Sequence, residues 1–507
     1  MSIIPLAKAR ALVVLCCGLT ATVAQATNGY WSHGYGPKSK SIAGACVAMI
    51  YGPMCASTNP ASMVRVGNQL EFGLSVFSPD RGFTANDDAS PIGPPLGPAS
   101  IPPGTYLSDN EYFFIPHIGY NRMLDEHSSI AVTVGGNGGL NTEYDAAVFA
   151  NFGNPQFPET LATSPTGIDM LQAFVGLTYS RALNERHSIG IMPILAIQSL
   201  EAKGLEPFKP FSLHPDKLTN NGREISLGGG IRVGWLGQVT DRLRLGASYQ
   251  SKMWMQSFDE YKGLLAEEGK FDIPANMDLG FAFDITPDVT FAFDYQRIWY
   301  SDVPAIGNAS DLVFTSGSIL LGTDSGLGFG WEDMDIYKLG IEWRTRPDLT
   351  LRAGYSRNNQ VIPSDQALFN ILAPATVRDH YTAGATYRLS DKWELSGAVM
   401  LTEEMEKVAS SLQGETGNVA KDRSEALMIS LVQLPEYLDR LTKGAPDLPF
   451  SILSLINDLK ASRDATLLSE TAFFAPHINE ILAERSGGEP NPELKNVARQ
   501  LRTHFHK

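Results

Sequence analysis

Histidine and serine side chains are the first candidates for chemistry, because a hydrolase needs a nucleophile with a histidine partner. The chain contains no G-x-S-x-G motif, and its histidines are scattered rather than clustered at metal-ligand spacing, at His33, His117, His187, His214 and His380 among others. This distribution predicts no catalytic residue, no metal site and no cofactor. A lipid hydrolase is therefore kept only as an alternative function, which leaves binding as the chemistry to explain.

Cys46 and Cys55 form a second reactive pair. A disulfide between them is allowed if the chain reaches an oxidising compartment. The other interpretation is that both are small hydrophobic side chains in closely packed backbone, and the sequence does not choose between the two. The remaining cysteines, Cys16 and Cys17, lie near the N-terminus in a segment of different character.

That N-terminal segment has the layout of a secretory signal peptide. Lys8 and Arg10 precede an apolar run from residue 11 to about 21, and Ala24-Gln25-Ala26 supplies small residues at a cleavage site. The apolar run is too short to span a bilayer, which needs ~20 residues. The sequence therefore predicts removal of residues 1–26 and export of a mature chain that begins near Thr27.

Composition narrows the class of protein. The formal net charge of −15 argues against a nucleic-acid partner, because phosphate binding needs clustered lysine and arginine. The chain has 47 glycines, 24 phenylalanines and 17 tyrosines, with a mean hydropathy of only −0.10. Many strands joined by polar turns give such a composition more readily than a bundle of apolar helices.

Alternation of apolar and polar residues is the main structural signal in the middle of the chain. It is clear at 243–250, 349–356 and 381–389. Many such runs reach the ~9–11 residues that a tilted strand needs to cross a bilayer, and exceed the ~5–6 residues of an average soluble strand. The pattern predicts a mainly β fold, an antiparallel transmembrane β-barrel.

Twelve strands are predicted, with short turns alternating with long loops as in an outer-membrane barrel. They lie near residues 68–77, 111–124, 128–144, 168–183, 187–203, 226–239, 243–255, 274–285, 289–301, 337–345, 349–361 and 376–389. A thirteenth strand could begin near Glu394, so the count is 12–13 and closure of the barrel is left open.

Several stretches resemble the FadL-type outer-membrane transporters, which carry long-chain fatty acids and other hydrophobic compounds. They include "TNGYWSHGYGPKSKSIAGACVA", "ASTNPASMVRVGNQLEFGLSVFSPDRGF" and "LTNNGREISLGGGIRVGWLG", and the resemblance covers about residues 27–393. It implies a fourteen-stranded monomeric barrel in the outer membrane of a Gram-negative bacterium, with residues 27–67 folded inward as a plug, the hatch, and residues 68–393 as the wall. The implied partners are a hydrophobic small molecule and outer-membrane lipid.

Two motifs gain a role from this resemblance. Asn59, Pro60 and Ala61 match the Asn-Pro-Ala of the family's hatch, and an asparagine before a proline also favours a rigid turn on local grounds. Gly135, Gly136, Asn137, Gly138 and Gly139 lie inside the third strand, where glycines indicate a bulge or kink. In the family such a kink opens a lateral gap in the wall, whereas a tight turn between two short strands is the ordinary alternative.

Transport would then be passive: ligand binding in the lumen, movement of the hatch and lateral exit at the kinked strand. The sequence assigns no individual ligand-binding residue. It points only to the apolar residues of 148–161 and 311–329 as pocket segments.

The last part of the chain, 394–507, is predicted to be α-helical. Leucines recur at helical spacing from Leu427 to Leu441, and Asn491-Pro492 is typical of a helix start. This part resembles the N-terminal helical segment of the chemotaxis-like sensor kinases that control type IV pili. A chimera of the two families is therefore the favoured account of the tail, and a native periplasmic extension is the other interpretation. In the alternative function, such a chimera does not transport and its tail is an interaction segment.

Overall fold

The computed structural model describes residues 27–85, 101–310, 319–402, 405–411 and 414–433, the last two stretches by their backbone alone. The predicted signal peptide and the predicted helices beyond residue 433 lie outside the described residues. Within the described ranges, no helix is long and apolar enough to cross a membrane.

Strands dominate the described part of the chain. In chain order they are β1 (Gln69–Ala85), β2 (Gly104–Leu107), β3 (Phe113–Asp125), β4 (Ser128–Tyr144), β5 (Thr166–Ala182), β6 (His187–Lys203), β7 (Glu224–Gln238), β8 (Leu243–Gln250), β9 (Trp254–Met255), β10 (Asn276–Thr286), β11 (Val289–Ile298), β12 (Met334–Arg346), β13 (Leu349–Asn358), β14 (Asp379–Arg388), β15 (Trp393–Thr402), β16 (Met405–Ser411) and β17 (Gly414–Gln433).

Helical structure is limited to short turns. The α-helical turns are Gly36–Lys40, Met63–Val66, Ala266–Gly269 and Pro304–Gly307. The 3₁₀ turns are Pro53–Ser57, Pro60–Ser62, Ala150–Phe152, Pro158–Thr160, Glu206–Phe211, Pro215–Lys217, Asp259–Tyr261, Tyr300–Asp302, Ser364–Gln366 and Phe369–Ile371.

The strands pair antiparallel with their neighbours in one continuous series. From β1 the pairing runs through β3, β4, β5, β6, β7, β8, β10, β11, β12, β13, β14 and β15. β17 then pairs with β15 on one side and with β1 on the other. Outside this series, β2 pairs with β1, β9 with β7 and β16 with β17. The series itself contains 14 of the 17 described strands, each paired on both sides. All twelve predicted strands are confirmed.

The prediction of a helical region from residue 394 is wrong over the described residues. β15 pairs with β14 from Glu394 to Thr402, and the backbone of β17 is extended from Gly414 to Gln433. Leu395, Ala398 and Val399 suit helical spacing, but inward Ala398 and Met400 alternate with outward Val399 and Leu401, which is the period of a strand. A short apolar run is compatible with both the helical period and the strand period. Pairing with β14 therefore determines that this run forms a strand.

Each wall strand places one face outward and one inward. In β6, Ile189, Ile191 and Leu195 are exposed on the outside, whereas Met192 and Ala196 are buried on the inside. β-Branched side chains such as isoleucine fit this pleated, half-exposed surface well. The inward face contacts the N-terminal segment, residues 27–66, nearly all of which is buried.

Candidate functional site

An apolar pocket lies among the loops at one end of the strands. It is a small cavity of about 20 Å³, and its lining consists of Ile168, Leu205, Phe208, Leu264, Leu265, Ala305, Leu321, Leu327, Phe329, Phe369 and Leu372. No charged or polar side chain belongs to this lining of described residues. A ligand in this pocket would therefore meet only apolar side chains.

Phenylalanines hold the pocket in shape. Phe208 packs edge to face against Phe149, with ring centroids 5.0 Å apart, and lies 5.3 Å from Phe369. Such aromatic pairs contribute ~0.5–1.5 kcal/mol beyond the area they bury. Both predicted pocket segments meet here, because Phe149 belongs to one and Leu321 and Phe329 to the other, while residues 311–318 lie outside the described ranges.

A cluster of aromatic rings connects the pocket to the N-terminal segment. The Phe329 ring, which lines the pocket, lies 6.3 Å from the Trp331 ring. Tyr30 packs against Trp331 and against Tyr300, with a centroid distance of 5.2 Å to the latter. Trp331 is fixed by a hydrogen bond from its Nε1 to Asn370 Oδ1 (2.6 Å). The pocket and the N-terminal segment therefore share one packed aromatic cluster.

The predicted glycine run forms a bulge in β4. The pairing register with β5 shifts between Gly136 and Gly138, and Gly138 has a φ of +153°. A Cβ on Gly138 would lie only 1.7 Å from the carbonyl oxygen of Tyr30, so this position requires glycine. The backbone of Trp31 pairs with Gly138 at the same point.

Asn137 ties the bulge to the N-terminal segment and to β5. Its Oδ1 accepts a hydrogen bond from Tyr35 Oη (2.7 Å), and its Nδ2 donates to Gln172 Oε1 (2.9 Å). The side chain is fully buried. The bulge is therefore a contact point between the wall and the N-terminal segment, which glycine spacing alone did not predict.

β3 and β4 separate beyond the bulge. Their pairing ends at His117 and Gly135, whereas β4 remains paired with β5 as far as Tyr144. The start of β3, from Phe113, pairs with β1 on its other side. The β3–β4 ladder therefore stops next to the Trp31–Gly138 contact, and farther along β4 the backbone N–H of Asp109 donates to Glu143 O (2.8 Å).

Asn59 forms a rigid corner where the N-terminal segment meets the wall. Its Nδ2 donates to Val47 O (2.7 Å) and Trp235 O (3.0 Å), and its Oδ1 accepts from the backbone N–H of Ala61 (3.1 Å). Pro60 begins the 3₁₀ turn that follows. The turn predicted at Asn59, Pro60 and Ala61 is thus present and links two arms of the segment to β7.

Two wall glycines make room for this corner, and sequence reasoning missed them. A Cβ on Gly234 of β7 would lie 2.1 Å from Asn59 Oδ1, and one on Gly190 of β6 would lie 2.3 Å from the backbone of Pro60. Their signal was a glycine inside an alternating strand, which marks close backbone approach. The partner that approaches cannot be read from the strand itself.

The rest of the N-terminal segment sits on a polar part of the wall, the polar seat, defined here as Arg232, Asp278, Asp294, Gln296 and Lys338. Arg232 is 1% exposed and pairs with Asp278 at 3.3 Å. It also donates to the carbonyl oxygen of Thr58 (3.0 Å). Asp294 accepts from the backbone N–H of Val47 (2.8 Å).

Burial perturbs two basic groups of the segment. It lowers the pKa of Lys40 to about 7. It also lowers the pKa of His33, and the positive charges of neighbouring His380, Lys338 and Lys40 act in the same direction. Neutral His33 shares a 2.9 Å hydrogen bond with the hydroxyl of Ser356. The N-terminal segment thus carries less positive charge in the lumen than its lysine and histidine residues would carry in water.

The predicted cysteine pair is also in this segment. Cys46 and Cys55 are both buried and are free thiols in the structure, with their sulfur atoms 3.1 Å apart.

Comparisons with known proteins match the whole arrangement. The family model described as "Outer membrane protein transport protein (OMPP1/FadL/TodX)" matches residues 21–426, well over half of the chain. Among curated proteins, none matches significantly.

Solved structures with the same fold cover most of the chain. The toluene transporter TodX of P. putida is 20% identical with a TM-score of 0.57, over 80% of this chain and 99% of its own. A FadL homologue of Pseudomonas aeruginosa is 14% identical with a TM-score of 0.57, over 80% and 99%. The toluene transporter TbuX of Ralstonia pickettii is 16% identical with a TM-score of 0.52, over 79% and 98%.

The predicted family, mainly β fold, outer-membrane location and absence of enzyme activity are confirmed by these matches, because the family consists of transport channels rather than enzymes. The family match also extends past residue 393 into β17, where a different family had been predicted. The chain belongs to the OMPP1/FadL/TodX family of outer-membrane proteins that transport hydrophobic compounds.

Proposed function

We propose that this chain carries small hydrophobic molecules passively from the cell surface into the outer membrane, through the apolar pocket and then sideways between β3 and β4. The observation that carries the proposal is the wholly apolar lining of the pocket, together with the end of the β3–β4 ladder. Long-chain fatty acids and neutral hydrocarbons are the two candidate ligand classes. The chain acts as a monomer with outer-membrane lipid around it.

Burial alone gives the pocket useful affinity. Each methylene group removed from water contributes ~0.8 kcal/mol. TodX and TbuX are described as toluene transporters, so toluene is a natural first ligand to test.

Aromatic packing supports a link between ligand binding and the N-terminal segment. A ligand beside Phe329 presses on the cluster that holds Tyr30. The next residue, Trp31, pairs with Gly138 where the β3–β4 ladder stops. Displacement of Tyr30 and Trp31 would therefore open the path from the pocket to the space between β3 and β4, which gives residues 27–67 the role of a hatch.

Calorimetry on the full chain in detergent, with toluene and with oleate, tests the binding step. Phe208→Ala should weaken binding of the preferred ligand at least about tenfold, because Phe208 is 1% exposed and lines the pocket. Phe283→Ala is the matched control, since Phe283 points outward from β10 and is 39% exposed. The proposal fails if neither ligand binds, or if both variants behave alike.

A further inference from the structure

Two arms of the N-terminal segment lie side by side in the lumen. The first arm carries Cys46, whose backbone N–H donates to Gly44 O. The second carries Cys55 in the 3₁₀ turn Pro53–Ser57. The two sulfur atoms are 3.1 Å apart, and the side chains are 0% and 3% exposed. The fold therefore brings the two thiols into contact.

Outside its predicted signal peptide, the printed sequence offers Cys46 and Cys55 no competing cysteine. The sequence has four cysteines, and Cys16 and Cys17 both belong to the predicted signal peptide. Once that peptide is removed, Cys46 and Cys55 can pair only with each other within one chain. An outer-membrane protein reaches its place through the periplasm, which is kept oxidising.

We propose that Cys46 and Cys55 form a disulfide during this passage, before the barrel surrounds them. The thiolate of one cysteine attacks the disulfide of a periplasmic thiol–disulfide oxidoreductase and releases one of its thiols. The second cysteine then displaces the other sulfur. The chain loses two protons and two electrons, and the oxidoreductase leaves as a dithiol.

The disulfide adds a covalent link beside an existing hydrogen-bonded one. Asn59 already joins the arms through its Nδ2 contact with Val47 O. With both links present, residues 46–59 move as one unit, and the freedom needed for transport is confined to Tyr30 and Trp31. Burial of both sulfurs in the lumen also shields the link from reductants outside.

Thiol counting on the full chain tests the proposal without any variant. Protein extracted from outer membranes is denatured without reductant and treated with maleimide–polyethylene glycol. The expected result is no modification, followed by two modifications per chain when reductant is added after denaturation. Two modified thiols without reductant would overturn the proposal. Cys46→Ser is the control for the method, because it should show one reactive thiol in either condition.

Two further measurements test whether the disulfide is shielded from reductants and whether it restricts the motion of residues 46–59. Reductant applied to the folded barrel and removed before denaturation should leave the thiols unmodified, and modification of both would show that the link is accessible. In the Cys46→Ser, Cys55→Ser double variant, amide hydrogen exchange at residues 46–59 should accelerate several-fold over wild type. Unchanged exchange there would contradict the role given to the link.

Discussion

The apolar pocket and the polar seat occupy one lumen but differ in what they offer a passing molecule. Phe208, Phe329 and their neighbours present only hydrocarbon. The polar seat presents charges that are paired with one another or with the N-terminal segment, as Arg232 is with Asp278 and Thr58. A hydrophobic molecule gains nothing by moving from the first region to the second. The contrast supports the proposed sideways route at β4.

Removing the charge of Arg232 should have the largest effect, because it breaks the polar seat itself. Arg232→Ala leaves Asp278 buried without its ion pair, which costs about 3–5 kcal/mol. We expect the N-terminal segment to become protease-sensitive in extracted barrels. A protease-resistant segment in this variant would mean that the polar seat contributes little to holding it.

Placing a charge in the apolar pocket should remove the difference in polarity between the pocket and the polar seat. Leu327→Lys puts an ammonium group at a lining position that is 6% exposed. A hydrogen bond to a charged group contributes about 1.5–3 kcal/mol, so the affinity ratio of oleate to toluene should rise at least about tenfold. Competition calorimetry measures the ratio. An unchanged ratio would show that the ligand does not reach Leu327.

Crowding the bulge should affect exit more than binding. Gly138→Ala sets a Cβ against the Tyr30 carbonyl and forces a φ of +153° on an alanine, at a cost of about 1–3 kcal/mol. Because this Cβ displaces Tyr30, whose displacement opens the proposed path, we expect faster toluene uptake by whole cells with little change in calorimetric affinity for the pocket.

Gly135→Ala is the matched control for that variant, since its Cβ would meet only ordinary contacts at 3.5 Å. It should transport like the wild-type chain. Equal uptake by both variants would remove the sideways route at β4, and equal loss in both would point to general damage of the strand.

The smallest effect is expected from an arginine outside both regions. Arg186 pairs with Asp241 at 3.4 Å, but the two side chains are 57% and 94% exposed. Such pairs contribute about 0–1 kcal/mol. Arg186→Ala should therefore leave the protease pattern unchanged, and a pattern like that of Arg232→Ala would show that the assay does not report on the polar seat.

Sequence periodicity predicted the twelve wall strands because each alternates over many residues. It left β15 open as a thirteenth strand and assigned the residues of β17 to a helix. Leu395, Ala398 and Val399 satisfy helical spacing as well, and only pairing with β14 and β1 distinguishes a strand from a helix here. The part of the tail that could still be helical and resemble the sensor kinases lies beyond residue 433, outside the described ranges. The chimera therefore stays a prediction.

Local chemistry predicted the turn at Asn59 and the bulge at Gly138. It could not predict what these residues contact, because Tyr30, Trp31 and Val47 are distant from β4 and β7 in the chain. The pocket was predicted only as two segments for the same reason: its lining comes from four loops and from β5, which the series of paired strands brings together.

The wall glycines at the Asn59 corner have a consequence for recombination between relatives. Gly190 and Gly234 leave room for only one path of the N-terminal backbone. Gly246 and Gly354 do the same where the wall meets Val47 and Ile42. If an N-terminal segment from a relative as dissimilar as TodX followed a different path, it would therefore meet the side chains of this wall instead of the space above these glycines. Exchange of segments within the family should succeed only when the matching strand positions are exchanged with them.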